Sequence, residues 1–318
     1  MTSFPQNYLA AIQRFYTVFL KALEPSLYKN GGNVLMVAIE NEYGGNMGHN
    51  HVCDHNYTYF LRDLFWSVLG NDVVLYTTDS ADNPAAIQCG HVNGTFTTVD
   101  FATDNLDYQT LVNHFKLQQS FNPDNGGPGV DSEYYDGWIV DWGGSYYSIF
   151  HQTQRVINDF TRMYSLNASW SIYMFHGGTN FGFQNEWNVI TSYDYAAPIS
   201  ENGDVTPLYV AIRNMIQNFT DWDTPPQAIP QNNTKVNYGT VALQRVGTNL
   251  ISTLTQILES CTTSTYPMTF EQINHGYGFV LYTTTLQKSG KTLSIPGIRD
   301  YGYVFLNNVY QVCRVAGF

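Results

Sequence analysis

Val34-Leu35-Met36-Val37-Ala38-Ile39-Glu40-Asn41-Glu42-Tyr43-Gly44 is the stretch whose reading decides the fold. After the turn Gly31-Gly32-Asn33, six apolar residues follow one another. A short continuous run of this kind reads as a strand of a parallel sheet, buried on both faces. The run ends in two glutamates, an aromatic residue and a glycine. A second stretch repeats the design: Gly129-Val130-Asp131-Ser132-Glu133-Tyr134-Tyr135-Asp136-Gly137-Trp138. A carboxylate at the end of a buried strand is costly unless it is paired, hydrogen-bonded or used in chemistry.

Working outward, residues 7–23 carry apolar positions at helical spacing (Leu9, Ile12, Phe15, Phe19, Leu20, Leu23), and Pro25 stops that helix. Further helices are predicted over 56–69, 107–119, 148–164 and 206–219. Strands are predicted over 73–76, running on to Asp79, over 95–99 and 129–133, and over 170–175, ending at His176-Gly177-Gly178. Strands alternating with helices in this way mean an α/β fold with a parallel sheet. Five strands are too few for a complete eight-stranded barrel. No Gly-x-Gly-x-x-Gly follows a strand, so a dinucleotide fold is excluded. Residues 220–236, rich in Pro, Asn, Gln and Thr, read as a linker. From Asn237 onward the texture turns to β, with a strand over 277–285 and a hairpin of 301–306 and 309–315 about Asn307-Asn308.

The 318 residues suffice for one large domain and part of another. A formal charge of −12 argues against a nucleic-acid partner, which needs clustered Lys and Arg. No apolar run reaches the length of a membrane span. Met1-Thr2-Ser3-Phe4-Pro5 leads straight into a helical pattern, so no signal peptide is read. Yet Asn56, Asn93, Asn167, Asn218 and Asn232 each open an Asn-x-Ser/Thr glycosylation acceptor, which suits a secreted or lysosomal parent whose N-terminus lies upstream. The four cysteines, Cys53, Cys89, Cys261 and Cys313, allow three pairings. Cys53 with Cys89 is preferred, because both fall in loops after strands at one end of the domain.

Glu42 and Glu133 are the candidate catalytic pair. Two carboxylates at the C-terminal ends of barrel strands would face one pocket, and cleavage of a glycosidic bond needs such a pair. The plainer reading is that each caps a neighbouring helix N-terminus. On a regular strand Glu40 would point to the same face as Glu42. His49, His51, Cys53, Asp54 and His55 resemble a metal cluster, but the spacing matches no standard zinc pattern, so no metal is expected. No Gly-x-Ser-x-Gly elbow is present, which sets aside a serine hydrolase.

These motifs resemble those of the glycoside hydrolase family 35 β-galactosidases, of the animal lysosomal type. Residues 39–44 look like the family's acid/base segment and residues 132–138 like its nucleophile segment. Tyr173-Met174-Phe175-His176-Gly177-Gly178-Thr179-Asn180-Phe181 is similar to its last-strand signature, and Thr191-Ser192-Tyr193-Asp194-Tyr195 to the loop that follows. Residues 270–286 and 304–310 resemble the opening of its first β-domain. The resemblance implies a partial (β/α)8 barrel, strands four to eight, over 1–219. It further implies a linker over 220–236 and an incomplete sandwich-like β-domain over 237–318, in a chain truncated at both ends. It implies retaining hydrolysis of terminal β-galactosides with Glu42 as acid/base and Glu133 as nucleophile, and no cofactor. Asn41 would bond the sugar 2-hydroxyl. Tyr135 would lie beside the nucleophile, Trp138 and Tyr173 would wall the galactose pocket, and Tyr193 and Tyr195 would line its rim. Cys53–Cys89 matches a family disulfide. The parent protein would be lysosomal or extracellular, and a homo-oligomer is compatible with it. Ala38 stands where the family usually has glutamine, and Ala196 where it often has aspartate. Two other readings remain open: a truncated chain that binds without turnover, and a relative of exo-β-glucosaminidase type.

Overall fold

The structure is a computed structural model that describes residues 4–45, 53–102, 106–141, 144, 152–180, 189–219, 224, 227–258, 260–295, 298 and 302–311. By packing, the described chain falls into two units. The first draws on residues within Met1–Ile139, Ser145–Gly177 and Asp194–Gln231, and the second on residues within Val140–Gly144, Gly178–Tyr193 and Asn232–Phe318.

The first unit opens with helix α1 (Gln6–Leu23), then strand β1 (Met36–Asn41), α2 (His55–Leu69), β2 (Val74–Ser80), α3 (Pro84–Gly90) and β3 (Phe96–Ala102). It continues with α4 (Tyr108–Ser120), β4 (Val130–Tyr135), α5 (Thr153–Ser165), β5 (Ser169–Tyr173) and α6 (Pro207–Ile216). The five strands form one parallel sheet in chain order, with β1 and β5 at its edges. Side chains that start the helices explain their boundaries. Asp54 accepts from the Asn56 N–H, Asn83 from Ala86 and Asp107 from Thr110, while Thr206 precedes Pro207 at the first helical position of α6. The short helix α3 was not read from the sequence, although Asn83-Pro84 carries the same start signal.

The core lies between the helices and the outer face of the sheet. Leu9 and Leu20 of α1, Leu61, Phe65 and Leu69 of α2, Ile39 of β1 and Leu75 of β2 form one cluster. Val99 and Phe101 of β3, Leu111 and Phe115 of α4, Tyr134 of β4, Val156, Phe160 and Met163 of α5, and Leu208 and Ile212 of α6 form the other. The run 34–39 is not buried on both faces as expected: Val37 and Ile39 are buried, whereas Ala38 is exposed and Leu35 is 69% exposed. This alternation is that of a strand covered on one face, at the edge of its sheet.

The helix expected over 148–164 is seen from Thr153 on, its expected first residues 148–151 lying outside the described residues. The expected strand over 277–285 does not form, and residues 250–257, expected within β texture, are helix α7 (Leu250–Ile257). A strand needs a neighbour to complete its ladder, and among the described residues none pairs with 277–285. The hairpin does form, as β6 (Val304–Leu306) and β7 (Val309–Gln311). Its turn residues Asn307 and Asn308 both have positive φ, as a two-residue hairpin turn requires. Its outer parts, 301 and 312–315, lie outside the described residues, as do His49, His51, Phe181 and Cys313.

Candidate active site

The register of the parallel sheet slips just before each of the two candidate carboxylates. β1 loses register against β2 between Ala38 and Glu40. β4 loses it against β3 at the step from Val99 to Asp100, where Asp131 and Glu133 are the partners. An extra residue in a strand re-aims every side chain after it. Glu40 lies within β1, whereas Glu42 lies one residue past its end in a left-handed conformation, so the two do not stand as alternate residues of one regular strand. The Glu40 charge acts on Tyr16 of α1 and Tyr57 of α2. Glu42 instead meets Tyr135 of β4. Burial pushes Glu40 up to about 7, opposed by the Asn41 N–H.

Glu42 follows β1 with φ 48°, a left-handed conformation that costs a non-glycine residue on the order of 1 kcal/mol. Its N–H donates to the Thr78 carbonyl at 3.0 Å, and the Gly45 N–H donates back to the Glu42 carbonyl at 2.9 Å. The next residue, Tyr43, accepts the Asp54 N–H on its hydroxyl at 3.0 Å, which ties the turn to the start of α2. Glu133 sits on β4, where its N–H donates to buried Asp131 at 3.2 Å. The neighbouring Tyr134 hydroxyl donates to Asp159 of α5 at 3.0 Å. Both candidates are thus held through their backbones, leaving their side chains aimed inward.

The Tyr135 hydroxyl lies 3.1 Å from Glu42 Oε1 and 3.2 Å from Glu133 Oε1. A phenol has one hydrogen to give. It can donate to one carboxylate only, and the other bond needs a proton on the second carboxyl. Charge favours the same state: burial and then the Glu42 carboxylate push Glu133 upward, while the Tyr135 hydroxyl draws it down.

Tyr135 also opens a closed ring of four aromatics. Tyr135 meets Trp138 at 5.3 Å between centroids and Tyr173 at 5.8 Å, and Tyr195 meets Trp138 at 6.2 Å and Tyr173 at 5.4 Å. Gly137 makes this closure possible, because a Cβ there would run into the Tyr195 carbonyl oxygen. Trp138 is half exposed, so an apolar surface borders the carboxyl pair. Such a surface suits the face of a sugar ring. Asn41, the last residue of β1, is exposed and stands in register with Thr78. Tyr193 belongs to the second unit, where its N–H donates to the Gly178 carbonyl. Cys53 and Cys89 are joined as a disulfide with Cα atoms 5.7 Å apart. Asn56, Asn93, Asn167, Asn218 and Asn232 are all exposed. Among the described residues no group of His, Cys, Asp and Glu could hold a metal ion.

Two further carboxyls belong to this end of the sheet and were missed in the sequence. Asp100 is buried and stands in register with Glu133. Burial, then the charges of Glu42 and Glu133, push it up to about 8. Asp79, also buried, is pushed up to about 7 by burial and then by Glu40 and Glu42, against the pull of the Gly44 N–H. Thr77-Thr78-Asp79 and Thr97-Thr98-Val99-Asp100 close their strands with a carboxylate, and that shared signal could have found them.

Residues 2–219 match the family described as glycosyl hydrolases family 35, and residues 267–314 match the first all-beta domain of beta-galactosidase. The beta-galactosidase of Pongo abelii is 39% identical over 317 residues, which cover 96% of this chain and 44% of that protein. That of Bos taurus is 40% identical, covering 96% and 46%. The beta-galactosidase-1-like protein of Mus musculus is 36% identical, with the same coverage of 96% and 46%. The chain thus spans less than half the length of these relatives.

Proposed function

Because the chain belongs to glycosyl hydrolases family 35, we propose that it carries the catalytic pair of a retaining exo-β-galactosidase, with Glu42 as acid/base and Glu133 as nucleophile. The observation that carries this reading is the Tyr135 hydroxyl shared by the two carboxyls at 3.1 and 3.2 Å. By the triangle inequality the two facing oxygens are no more than about 6.3 Å apart. Retaining pairs stand about 5–5.5 Å apart and inverting pairs roughly 6.5–9.5 Å, and a single hydroxyl that reaches both carboxyls is compatible with the closer spacing.

In the reaction, Glu42 gives its proton to the glycosidic oxygen as Glu133 attacks the anomeric carbon, and the bond to the leaving group breaks. Glu42, now a base, takes a proton from water, which displaces Glu133 and releases galactose. The double displacement uses no metal or organic cofactor. This chemistry requires Glu42 to carry the proton and Glu133 to be ionised when substrate is bound. Tyr135 holds the nucleophile's oxygen, and Asn41 bonds the 2-hydroxyl. Trp138 and Tyr173 form the pocket wall, with Tyr195 at the rim.

The same reading assigns residues 1–219 to strands four to eight of a (β/α)8 barrel with their helices. Residues 220–236 become the linker and 237–318 the start of a sandwich-like β-domain. The disulfide and the five exposed acceptor asparagines support a lysosomal or extracellular setting.

The test is hydrolysis of 4-nitrophenyl β-galactoside by chain 1–318 and by Glu133→Gln, with 4-nitrophenyl β-glucosaminide alongside. The expected outcome is release from the galactoside alone, at least about a thousandfold slower in the variant. Undiminished turnover in Glu133→Gln would remove the nucleophile assignment. Preference for the glucosaminide would move the chain to the other sugar class.

A further inference from the structure

Asp79, at the end of β2, touches neither the aromatic ring nor the Tyr135 hydroxyl, yet it is almost wholly buried. A buried carboxylate is retained only where its oxygens are engaged. Its Oδ1 accepts the Gly44 N–H at 2.7 Å, two residues beyond Glu42. The Gly45 N–H also acts on it. Its Oδ2 fills the space where a Cβ at Gly90 would stand, at the end of α3. The adjacent Cys89 is bound to Cys53, so α3 is itself fixed to the loop leading into α2. Asp79 is thus gripped on one side by α3 and on the other grips the turn that holds Glu42 at φ 48°.

We propose that Asp79 is a positioning residue for the Glu42 acid/base, acting through the backbone of residues 44–45; this rests on the role proposed for Glu42. Thr78 and Asp79 together hold the turn at both ends, through the Glu42 N–H and the Gly44 N–H. With Asp79 removed, Glu42 is free to leave its left-handed conformation, and its carboxyl moves relative to Glu133. A displacement of about 1 Å in a catalytic group costs on the order of a hundredfold in rate.

A purely structural role and a positioning role differ in one readout. Protonation by Glu42 matters for a poor leaving group and little for a good one. The experiment compares kcat/KM of wild type, Asp79→Ala and Asp79→Asn on methyl and 2,4-dinitrophenyl β-galactosides, with thermal melts of each. Asp79→Ala is expected to lose about a hundredfold on the methyl glycoside and less than about threefold on the dinitrophenyl glycoside. Asp79→Asn keeps an acceptor for the Gly44 N–H and is expected to stay within about threefold on both. Equal losses on the two substrates, in a variant that melts like wild type, would overturn the proposal. Amide hydrogen exchange over residues 42–45 is measured in the same proteins. It is expected to speed up about tenfold or more in Asp79→Ala and little in Asp79→Asn; unchanged exchange in Asp79→Ala would overturn the proposal on its own. If the wild-type chain hydrolyses neither galactoside, the proposed activity of this chain falls, and the exchange result alone decides whether Asp79 holds the turn.

Discussion

The half-barrel unit and the segment from Asn232 onward are built from similarly apolar sequence, and they differ in what that sequence buries. In the first, Leu61, Phe65, Leu75, Leu111 and Phe160 are almost completely enclosed. In the second, Tyr238, Leu243, Val246, Tyr266 and Phe279 are largely exposed, Leu243 by 97%. The half-barrel has helices that return after each strand and cover one face of the sheet. The later segment has one two-stranded hairpin, one short α-helix and a three-residue 3-10 helix (Glu271–Ile273) among its described residues. Apolar content does not make a core; a covering layer does.

The largest expected effect sets the two regions directly against each other. Phe160 packs on Tyr134 and Trp170 with no exposed surface. Phe160→Ala is expected to cost about 3–5 kcal/mol in urea unfolding. Leu243→Ala, removing an equally apolar residue, is expected to stay within about 0.5 kcal/mol. Similar losses from the two would break the comparison.

Next in size is a pH effect confined to the half-barrel. Glu40 and Asp79 are raised to about 7, and Asp100 and Asp136 to about 8, each first of all by burial. A carboxyl whose folded pKa lies above its unfolded value stabilises the fold fully below the ordinary carboxylate range. That stabilisation is lost as pH rises to the folded pKa. The melting temperature is therefore expected to be lower at pH 8 than at pH 5. In the later segment, Glu271 is lowered by its backbone and by Thr269, but it is fully exposed and contributes little to this trend. A higher melting temperature at pH 8 would contradict the burial argument.

The smallest effect sharpens the contrast, because the same local device stands in both regions. Asp107 caps α4 by accepting the Thr110 N–H at 2.7 Å, and Asn249 caps α7 by accepting the Ser252 N–H at 2.9 Å. Asp107→Ala is expected to cost about 1 kcal/mol of global stability. Asn249→Ala should lower helicity over 250–257, read by hydrogen exchange, and leave the global urea midpoint in place. A shift of that midpoint would show that α7 is coupled to the core after all.

Much of the half-barrel was legible in the sequence because its signals are local. The helical spacing of Leu9, Ile12, Phe19 and Leu20 and the apolar run before Glu40 each speak within a few residues. What was not legible depends on neighbours. The register slip at Ala38–Glu40 is set by pairing with β2, and the left-handed turn at Glu42 by its bonds to Thr78 and Gly45, so neither left a trace in the spacing. The fate of residues 277–285 hangs on partner strands, and their alternation alone could not supply one. The pairing of Glu42 and Glu133 with a single tyrosine hydroxyl needed the sheet to bring distant strands together. Asp79 and Asp100 carried the right local signal, and only their position in the fold distinguishes them from ordinary polar strand ends.

The shared Tyr135 hydroxyl and the acids beneath it carry one more consequence. The Glu42 charge pushes Asp79, Asp100 and Glu133 upward, and Glu133 and Asp79 push Asp100 in the same direction. The mouth of the sheet is therefore a well of negative potential, deepest when the carboxyls of Glu42 and Glu133 are both ionised. Such a well discriminates by charge before shape. On the glycosidase reading proposed above, it would hold a ring that becomes cationic at its anomeric carbon more tightly than the neutral ring from which it formed, and it would retain a protonated amine of sugar shape for the same reason.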